Sequence, residues 1–251
     1  MHHIILVDAE IELVPPELWT HPSVRKSAER RGKKPKNMLH DASFHHSAMK
    51  RHFTPEDVER RGRPGIAHIF CNLVQESALC RSGHLRLHIH TRNDIVLHID
   101  PRTHLPKAYH RFIGLIESVF NNRWVPSREE PLIYMERCTL GQLLGAIRPV
   151  LTVLFTTTAT ADYDGLFSRQ SIAADTEAAY LIGGFPHGGF RTDFDDLNVE
   201  AVRMFPEPYP AYIIGMELIA DLERVLGIVG GTGRSGGDHG PGGSDGPAEH
   251  P

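Results

Sequence analysis

The segment 183–189 reads Gly-Gly-Phe-Pro-His-Gly-Gly and has the composition of a loop that can hold a small ligand through its backbone. It directly follows the compact apolar run 178–182, which is typical of a buried parallel strand. Glycine allows positive φ and a close approach of the backbone to a ligand. The glycine spacing differs from G-x-G-x-x-G, Pro186 blocks a helix start, and the sequence has no P-loop motif. A dinucleotide or triphosphate is therefore disfavoured, whereas a pocket for a smaller cofactor is allowed, with a plain turn as the alternative.

A second candidate pocket wall is the segment 205–210, FPEPYP, which leads into the last predicted helix. Prolines at alternate positions stiffen this segment and remove backbone donors. The pattern suits a fixed wall of a pocket and equally suits a linker.

Three histidines could bring metal chemistry to a predicted β-hairpin. His88, His90 and His98 lie on its polar face, and imidazoles are common zinc ligands. No carboxylate follows at the usual ligand spacing, and no H-E-x-x-H motif occurs. We favour a wet or RNA-facing sheet surface and predict no metal site, with a metal-dependent hydrolase as the more distant alternative.

The pair His45 and His46 precedes Ser47 and could act as a catalytic base for its hydroxyl. No third group is placed to orient the imidazole. A role in packing or in a dimer contact is therefore the favoured interpretation.

The charges are segregated along the chain, although the net charge is only −4. Residues 24–64 carry twelve Lys or Arg against five Asp or Glu, whereas residues 162–223 carry three Arg against twelve acids. This asymmetry predicts a basic face for a polyanion and an acidic face that stays in solvent. Two solvated faces without a partner remain the alternative.

The elements that position these residues follow from hydrophobic periodicity and from helix start and stop signals. Alternation over 85–91 and 95–99 around a turn predicts the hairpin. Further strands are predicted over 4–13, 66–74, 150–155, 178–182 and 199–205, and helices over 23–31, 55–61, 112–120 and 209–226. Residues 63–65 are predicted to form a turn. The chain is long enough for one large domain or two small ones, and the Gly-rich residues 229–251 are predicted to form a disordered tail.

The three cysteines form no C-x-x-C pair, which argues against a disulfide frame or a thiolate zinc site and favours the cytoplasm. No stretch approaches the ~20 apolar residues that cross a bilayer, so no membrane partner is expected.

Six groups of segments, taken together, resemble one known family. They are 26–35 (KSAERRGKKP), 45–50 (HHSAMK), 60–64 (RRGRP), 90–94 (HTRND), 111–115 (RFIGL), and 182–188 (IGGFPHG) with 205–208 (FPEP). On these motifs the chain is similar to the nucleolar-essential-protein (Emg/Nep) family of SPOUT methyltransferases and looks like a compact archaeal member. The resemblance covers residues 4–226 in order.

The resemblance implies a single SPOUT-like domain, 1–228, with an α/β fold and a deep C-terminal trefoil knot. This domain would carry the β-hairpin and helical insertions and would form a homodimer. The resemblance also implies binding of S-adenosylmethionine. The implied cofactor residues are Gly183, Gly188, Ala201, Val202, Arg203, Met204, Phe205 and Pro206. The implied RNA-binding residues are Arg63, His104, Lys107 and Arg111, of which Arg63 and Arg111 are also the candidates for catalysis.

The reaction implied by the resemblance is methylation of N1 of a pseudouridine in small-subunit rRNA, within a pre-ribosomal particle during ribosome biogenesis. Pseudouridine is joined through carbon, so its N1 keeps a weakly acidic proton and can accept a methyl group. The protein must align the reacting atoms and help the proton to leave. Basic side chains can hold phosphates and also favour the N1 anion.

This sequence departs from the family pattern at two places. Gly65 stands where the family usually has Asp, whose carboxylate can hold the preceding Arg63, so a looser Arg63 is expected. His104 and Lys107 stand where arginines are common, which predicts a weaker and more pH-dependent grip on phosphate. Gly65 also leaves open a second function, an RNA-binding assembly factor of the same fold with little or no methyltransferase activity.

Overall fold

The computed structural model describes residues 1–169 and 172–229. Its strands are β1 His2–Ala9, β2 Leu85–Thr91, β3 Ile95–Ile99, β4 Trp124–Pro126, β5 Pro131–Arg137, β6 Leu151–Phe155, β7 Ala161–Asp162, β8 Ala178–Gly183 and β9 Glu200–Arg203. Its helices are α1 Pro22–Arg30, α2 Ala42–His52, α3 Pro55–Arg60, α4 Pro64–Glu76, α5 Ala78–Arg81, α6 Tyr109–Asn122, α7 Leu140–Ile147, α8 Leu166–Arg169 and α9 Ala211–Val225. Most of the predicted tail, residues 230–251, lies outside the described residues.

Strand β1 lies at the centre of the fold, and all eight of its residues are buried. It pairs in parallel with β2 on one side and with β8 on the other, within one sheet of order β4-β5-β3-β2-β1-β8-β6-β9-β7. Strands β8, β6, β9 and β7 are also parallel, whereas β3, β5 and β4 extend the sheet in antiparallel pairs. The carboxyl ends of β1, β8, β6 and β9 therefore meet at one edge of the sheet.

Helices cover both faces of the sheet, because apolar side chains alternate along β1. Ile4 and Leu6 join the core under α4, α6 and α9, whereas Ile5 and Val7 join the core under α7. The closest helix contact is at Gly215 of α9, where a Cβ atom would lie 2.8 Å from the Phe70 ring of α4. A third core holds α1 and α2 together beside the end of β1.

The structure confirms the predicted hairpin, the strands β6, β8 and β9, and the helices α1, α3, α6 and α9. The hairpin and α6 were predicted from periodicity, β6 and β8 from compact apolar runs, and α1 and α3 from helix start and stop signals. Val225, the last residue of α9, is 46% exposed, so the buried face of this helix ends at Leu222. The predicted first strand also ends earlier, at Ala9 instead of Leu13.

The predicted strand over 66–74 was wrong, because these residues belong to α4, and so was the predicted turn over 63–65, because Arg63 is the N-cap of α4 and the next two residues open it. Pro64 occupies the first helical position, where its missing N–H costs nothing. Ala67, Phe70 and Val74 share the buried face at helical spacing, but Ile69 on the outer face is apolar as well. Within 66–74 only His68 and Asn72 are polar, and a short run with apolar residues on both its buried and its outer face does not separate a helix from a buried strand.

Among the described residues, no helix combines the length and the apolar character needed to span a membrane.

Candidate functional site

The predicted glycine and proline loops lie together at the carboxyl edge of the parallel strands. The loop 184–192 follows β8, the loop 156–160 follows β6, and the loop 204–210 follows β9. These strands are neighbours, so the first and last loops begin about 10 Å apart. In open α/β sheets, ligands bind outside this edge.

The glycine loop begins with a close crossing over β1. Gly184 donates its N–H to the Val7 carbonyl at 2.7 Å. A Cβ atom at Gly184 would lie 2.7 Å from the Ala9 Cα, so only glycine fits there. The predicted Gly188 has a φ of +81°, which L side chains rarely adopt. The predicted Gly183 ends β8, where a Cβ would lie 3.0 Å from the Phe185 ring.

Asp8, which the sequence analysis missed, fixes the far end of the glycine loop. Its Oδ2 accepts the backbone N–H groups of Arg191 at 2.6 Å and Thr192 at 3.0 Å. Its Oδ1 accepts the Thr192 hydroxyl at 2.7 Å. The available signal was a carboxylate that interrupts the apolar run of β1, in a residue that is 2% exposed.

Arg60, which was noted only as part of a motif, holds the middle of the same loop. Its Nη1 donates to the Gly189 carbonyl at 2.6 Å and more weakly to the His187 carbonyl at 3.4 Å. Its guanidinium carbon lies 4.1 Å from the centroid of the Phe185 ring. A buried arginine therefore contacts three residues of the candidate loop.

The predicted cofactor residues continue from the glycine loop after β8 to β9 and the loop that follows it. Val202 is fully buried, and its carbonyl accepts the Thr156 N–H at 3.0 Å, so β9 and the β6 loop are joined at this edge. Ala201 and Arg203 are half-buried, and the Arg203 Nη2 donates to Asp162 at 2.8 Å. A ligand could meet Val202 through its backbone only.

The loop after β9 supplies apolar surface. Met204 and Phe205 are half-buried, and Pro206 is exposed. The Phe205 ring lies 4.4 Å from the ring of Tyr209, which is 51% exposed. This aromatic pair at the open edge could accept a flat heterocycle.

Arg63 lies at the start of α4, directly beside the glycine loop. Its N–H donates to the Glu10 carbonyl at 3.1 Å, and the Glu10 N–H donates to the Gly184 carbonyl at 3.2 Å. The Arg63 guanidinium donates to the Glu59 carbonyl at 2.7 Å. In this chain, which has Gly65 in place of the usual aspartate, a backbone carbonyl is the partner of the Arg63 guanidinium, and the looser Arg63 stays a prediction.

The other three predicted RNA residues, His104, Lys107 and Arg111, are exposed and lie farther along α4 than Arg63. Lys107 Nζ is 4.0 Å from Glu76 Oε1 at the C-terminal end of α4, and His104 follows Thr103, whose carbonyl accepts Gln75 Nε2 at 3.1 Å. Twelve residues at 1.5 Å each separate this end from Arg63 by about 18 Å. Arg111 lies in the first turn of α6, which contacts the middle of α4 through the rings of His68 and Tyr109.

The basic segment 24–64 is only partly available to a polyanion. Arg60 and Arg61 pair with the buried carboxylates of Glu10 and Glu12. Glu117, which is 1% exposed, pairs with Arg31 and Lys33. Seven basic side chains remain exposed without these pairings, namely Arg25, Lys26, Arg30, Lys34, Lys36, Lys50 and Arg51.

The predicted wet or RNA-facing surface of the hairpin histidines was wrong for His88, which is 5% exposed. His88 lies in a row of three imidazoles, 2.9 Å from His3 and 3.0 Å from His98. Glu177 lies 2.7 Å from His3, and Glu136 lies 2.9 Å from His98. Burial lowers the pKa of His88 well below its ordinary value. Helix α7 lies over this face of the sheet, so the histidine row of His3, His88 and His98 is largely enclosed instead of lying on an exposed surface.

His90 is also buried, with its Nε2 3.1 Å from Asp94 Oδ1. The packing interpretation of His45 is confirmed, because this residue is 1% exposed and its Nδ1 accepts the Asp41 N–H at 3.2 Å. Its neighbour His46 is exposed.

Two cavities of about 470 and 440 Å³ lie away from the predicted cofactor residues. The first borders the histidine row and the end of α7, and the second borders Asp8 and the segment 191–197. Neither is lined by Gly183, Gly188 or the segment 201–206.

The fold and the loops at this edge define an α/β protein with a ligand site at the carboxyl ends of its parallel strands. The solved structure of Archaeoglobus fulgidus Nep1 bound to S-adenosylhomocysteine has the same fold, with a TM-score of 0.75 at 31% identity over 88% of this chain and 97% of that one. The family model of the EMG1/NEP1 methyltransferases matches residues 4–223. The chain belongs to this methyltransferase family.

Curated relatives agree with this assignment. The ribosomal RNA small subunit methyltransferase Nep1 of Thermococcus sibiricus is 39% identical over 226 residues, which are 90% of this chain and 99% of that protein. The protein of the same name from Thermoplasma volcanium is 36% identical over 230 residues, covering 91% of this chain and 100% of the relative.

Proposed function

We propose that this chain uses S-adenosylmethionine to methylate N1 of a pseudouridine in small-subunit rRNA during ribosome biogenesis. One observation carries the proposal. The residue Glu10 hydrogen bonds through its backbone to Gly184 on one side and to Arg63 on the other. The loop suited to the cofactor and the arginine suited to the RNA are thereby neighbours. The relatives named as small-subunit rRNA methyltransferases supply the substrate class.

The chain's residues fit S-adenosylmethionine. The loop 184–192, with its positive φ at Gly188, offers backbone groups to a ligand. Met204, Phe205 and Tyr209 offer apolar and aromatic surface. An adenosine with an amino-acid tail needs both kinds of contact. The Nep1 structure that contains S-adenosylhomocysteine supports the same cofactor class. When bound, the cofactor supplies a methyl group that is already activated for transfer.

The chain's own residues align the base and help its proton to leave. Arg63 lies closest to the glycine loop, so its guanidinium is the candidate for stabilising negative charge on the N1 side of the base. Arg111 at the start of α6 is exposed and can hold a neighbouring phosphate. His104 and Lys107 extend this basic path along α4, where they can contact nucleotides farther from the target.

A homodimer is part of the proposal. The outer face of α4 and the neighbouring face of α9 expose Ile69 and Met216, which are 51% and 44% exposed. Ile66, Leu73 and Ile213 extend this surface as half-buried side chains. A contiguous apolar surface of this kind favours protein association. A second copy on this face would lie beside the Arg63 end of α4.

We also propose the deep C-terminal knot and action within a pre-ribosomal particle. The strand order supports the first, because β8 returns to the interior of the sheet between β1 and β6 after β6 is in place along the chain. The exposed basic side chains of α1 and α2 support the second.

The test is methyl transfer from labelled S-adenosylmethionine to an rRNA hairpin that carries either pseudouridine or uridine at one position. Nucleoside mass spectrometry reports where the methyl group goes. We expect methylation of the pseudouridine RNA alone, with a strong loss in Arg63→Ala and none in Arg137→Ala, an exposed arginine of β5. Binding of both RNAs without methylation of either would support the assembly-factor function instead.

A further inference from the structure

Glu10 is a fully buried carboxylate that follows β1 and lies between the two parts of the proposed site. Its Oε1 accepts the Arg60 Nε–H at 2.6 Å, and its Oε2 accepts Arg92 Nη1 at 2.9 Å. Arg92 in turn donates to Asp57 at 3.1 Å. A buried carboxylate with two arginine partners is held in one geometry, because neither oxygen can leave its donor cheaply.

The Glu10 backbone adds two further links. Its N–H meets the first residue of the glycine loop, and its carbonyl meets Arg63. A displacement of Glu10 would therefore move the glycine loop and the start of α4 relative to each other.

Arg60 completes the unit from the side of the loop. It is 3% exposed and bridges Glu10 to the Gly189 carbonyl, with the Phe185 ring beneath its guanidinium. Among the described residues, the Arg60 Nη2 has no hydrogen-bond partner. A buried donor without a partner is costly, and such costs concentrate at functional sites.

We propose that Glu10 and Arg60 are positioning residues that set the glycine loop in register with Arg63, so that the bound methyl donor and the RNA base meet in line. This inference rests on the proposed function. Arg60 acts through the loop carbonyls. It therefore matters for cofactor affinity and for the alignment of the methyl group, and much less for RNA binding without cofactor.

The neighbouring Arg61 provides a matched control. Its Nε and Nη2 donate to Glu12 at 2.8 and 2.9 Å, and its guanidinium carbon lies 3.9 Å from the centroid of the Phe53 ring. Like Arg60, it has a carboxylate partner and an aromatic ring beneath its guanidinium. Its partners are Glu12 and Phe53, which lie outside the glycine loop. Lysine at either position keeps the charge and loses the planar fork.

The experiment compares wild type, Arg60→Lys and Arg61→Lys by calorimetric titration with S-adenosylhomocysteine, by RNA binding without cofactor, and by thermal unfolding. We expect Arg60→Lys to weaken S-adenosylhomocysteine binding at least tenfold. Arg61→Lys should change it less than twofold despite a similar loss of stability. RNA affinity should change less than twofold in both. In turnover assays, Arg60→Lys should raise the KM for the methyl donor and also lower kcat.

Equal cofactor binding by the two variants would overturn the inference, as would a wild-type affinity in Arg60→Lys. If Arg60→Lys does not fold, Phe185→Leu removes the ring beneath the guanidinium, and unchanged S-adenosylhomocysteine binding by that variant would overturn the inference as well. A wild-type protein that does not bind S-adenosylhomocysteine would instead contradict the proposed function. Binding by wild type without RNA methylation would contradict the reaction and leave the comparison of the variants valid.

Discussion

Replacing Gly65 by aspartate should strengthen both the fold and the reaction. Gly65 is the second residue of α4, its φ lies outside the left-handed region, and a Cβ there would meet nothing within 4 Å. Removing glycine from a helix gains a few tenths of a kcal/mol for aspartate, and a carboxylate in the first turn adds ~0.3–1 kcal/mol through the helix dipole. We therefore expect about 1 kcal/mol of added stability. In a chain of this size this gain corresponds to a rise in Tm of ~2–4 °C.

The expected effect on activity comes from Arg63. Its guanidinium now donates to the Glu59 carbonyl at 2.7 Å and, at 3.5 Å, weakly to the Val58 carbonyl. The present bond already has a charged donor, so a carboxylate at position 65 would add an ion pair to it, and an ion pair at a half-exposed site is worth up to ~1 kcal/mol. A gain of ~1 kcal/mol corresponds to about a fivefold rise in kcat/KM on the pseudouridine RNA.

The control is Gly65→Ala, which gains helix propensity without a charge. Its stability gain should persist in high salt, whereas part of the Gly65→Asp gain should disappear as salt screens the dipole. Kinetics would be measured in wild type, both variants and Arg63→Lys combined with each. The reasoning is refuted if Gly65→Asp and Gly65→Ala have the same kcat/KM, or if the advantage of aspartate survives in the Arg63→Lys background.

Three further perturbations test the fold around the site. Gly184→Ala should cost at least ~2 kcal/mol of stability, because its Cβ would lie 2.7 Å from the Ala9 Cα. The control is Gly189→Ala, whose Cβ would meet nothing within 4 Å. Equal urea midpoints for the two variants would contradict this prediction. Burial lowers the pKa of His2 and His45 from 6.5 to about 4, so the unfolded chain binds more protons between these values. The free energy of unfolding should therefore fall as pH drops from 6.5 towards 4, by on the order of 1 kcal/mol per histidine by pH 5.5; an unfolding midpoint that stays constant from pH 7.5 to 5.5 would exclude it. Glu117→Gln should cost ~1–3 kcal/mol, because this buried carboxylate accepts Arg31 at 2.8 Å and the Leu39 N–H at 2.9 Å; the half-exposed Glu76→Gln should cost less than ~1 kcal/mol, and a comparable loss there would count against the argument.

The sequence alone determined the elements whose side chains alternate between two environments. The hairpin 85–99 follows from alternating residues around a polar turn, and α6 follows from an apolar stripe at helical spacing. The glycine and proline loops were found for a similar reason, because these residue types mark backbone geometry wherever the chain places them. The family motifs supplied the candidate cofactor and RNA residues, whose roles stay predictions.

Tertiary structure decided the features that depend on what covers a segment. Helix α4 has apolar residues on its outer face as well as on its buried face, so the short run 66–74 resembles a buried strand until its packing against α9 is seen. His88 faces inward because α7 covers that face of the sheet, which no local pattern records. Arg60 and Glu10 are 50 residues apart in the sequence, and the sequence does not show whether an arginine is buried or exposed. The ion pair of Glu10 and Arg60 could therefore not be predicted from the sequence, because burial and pairing are properties of the folded chain.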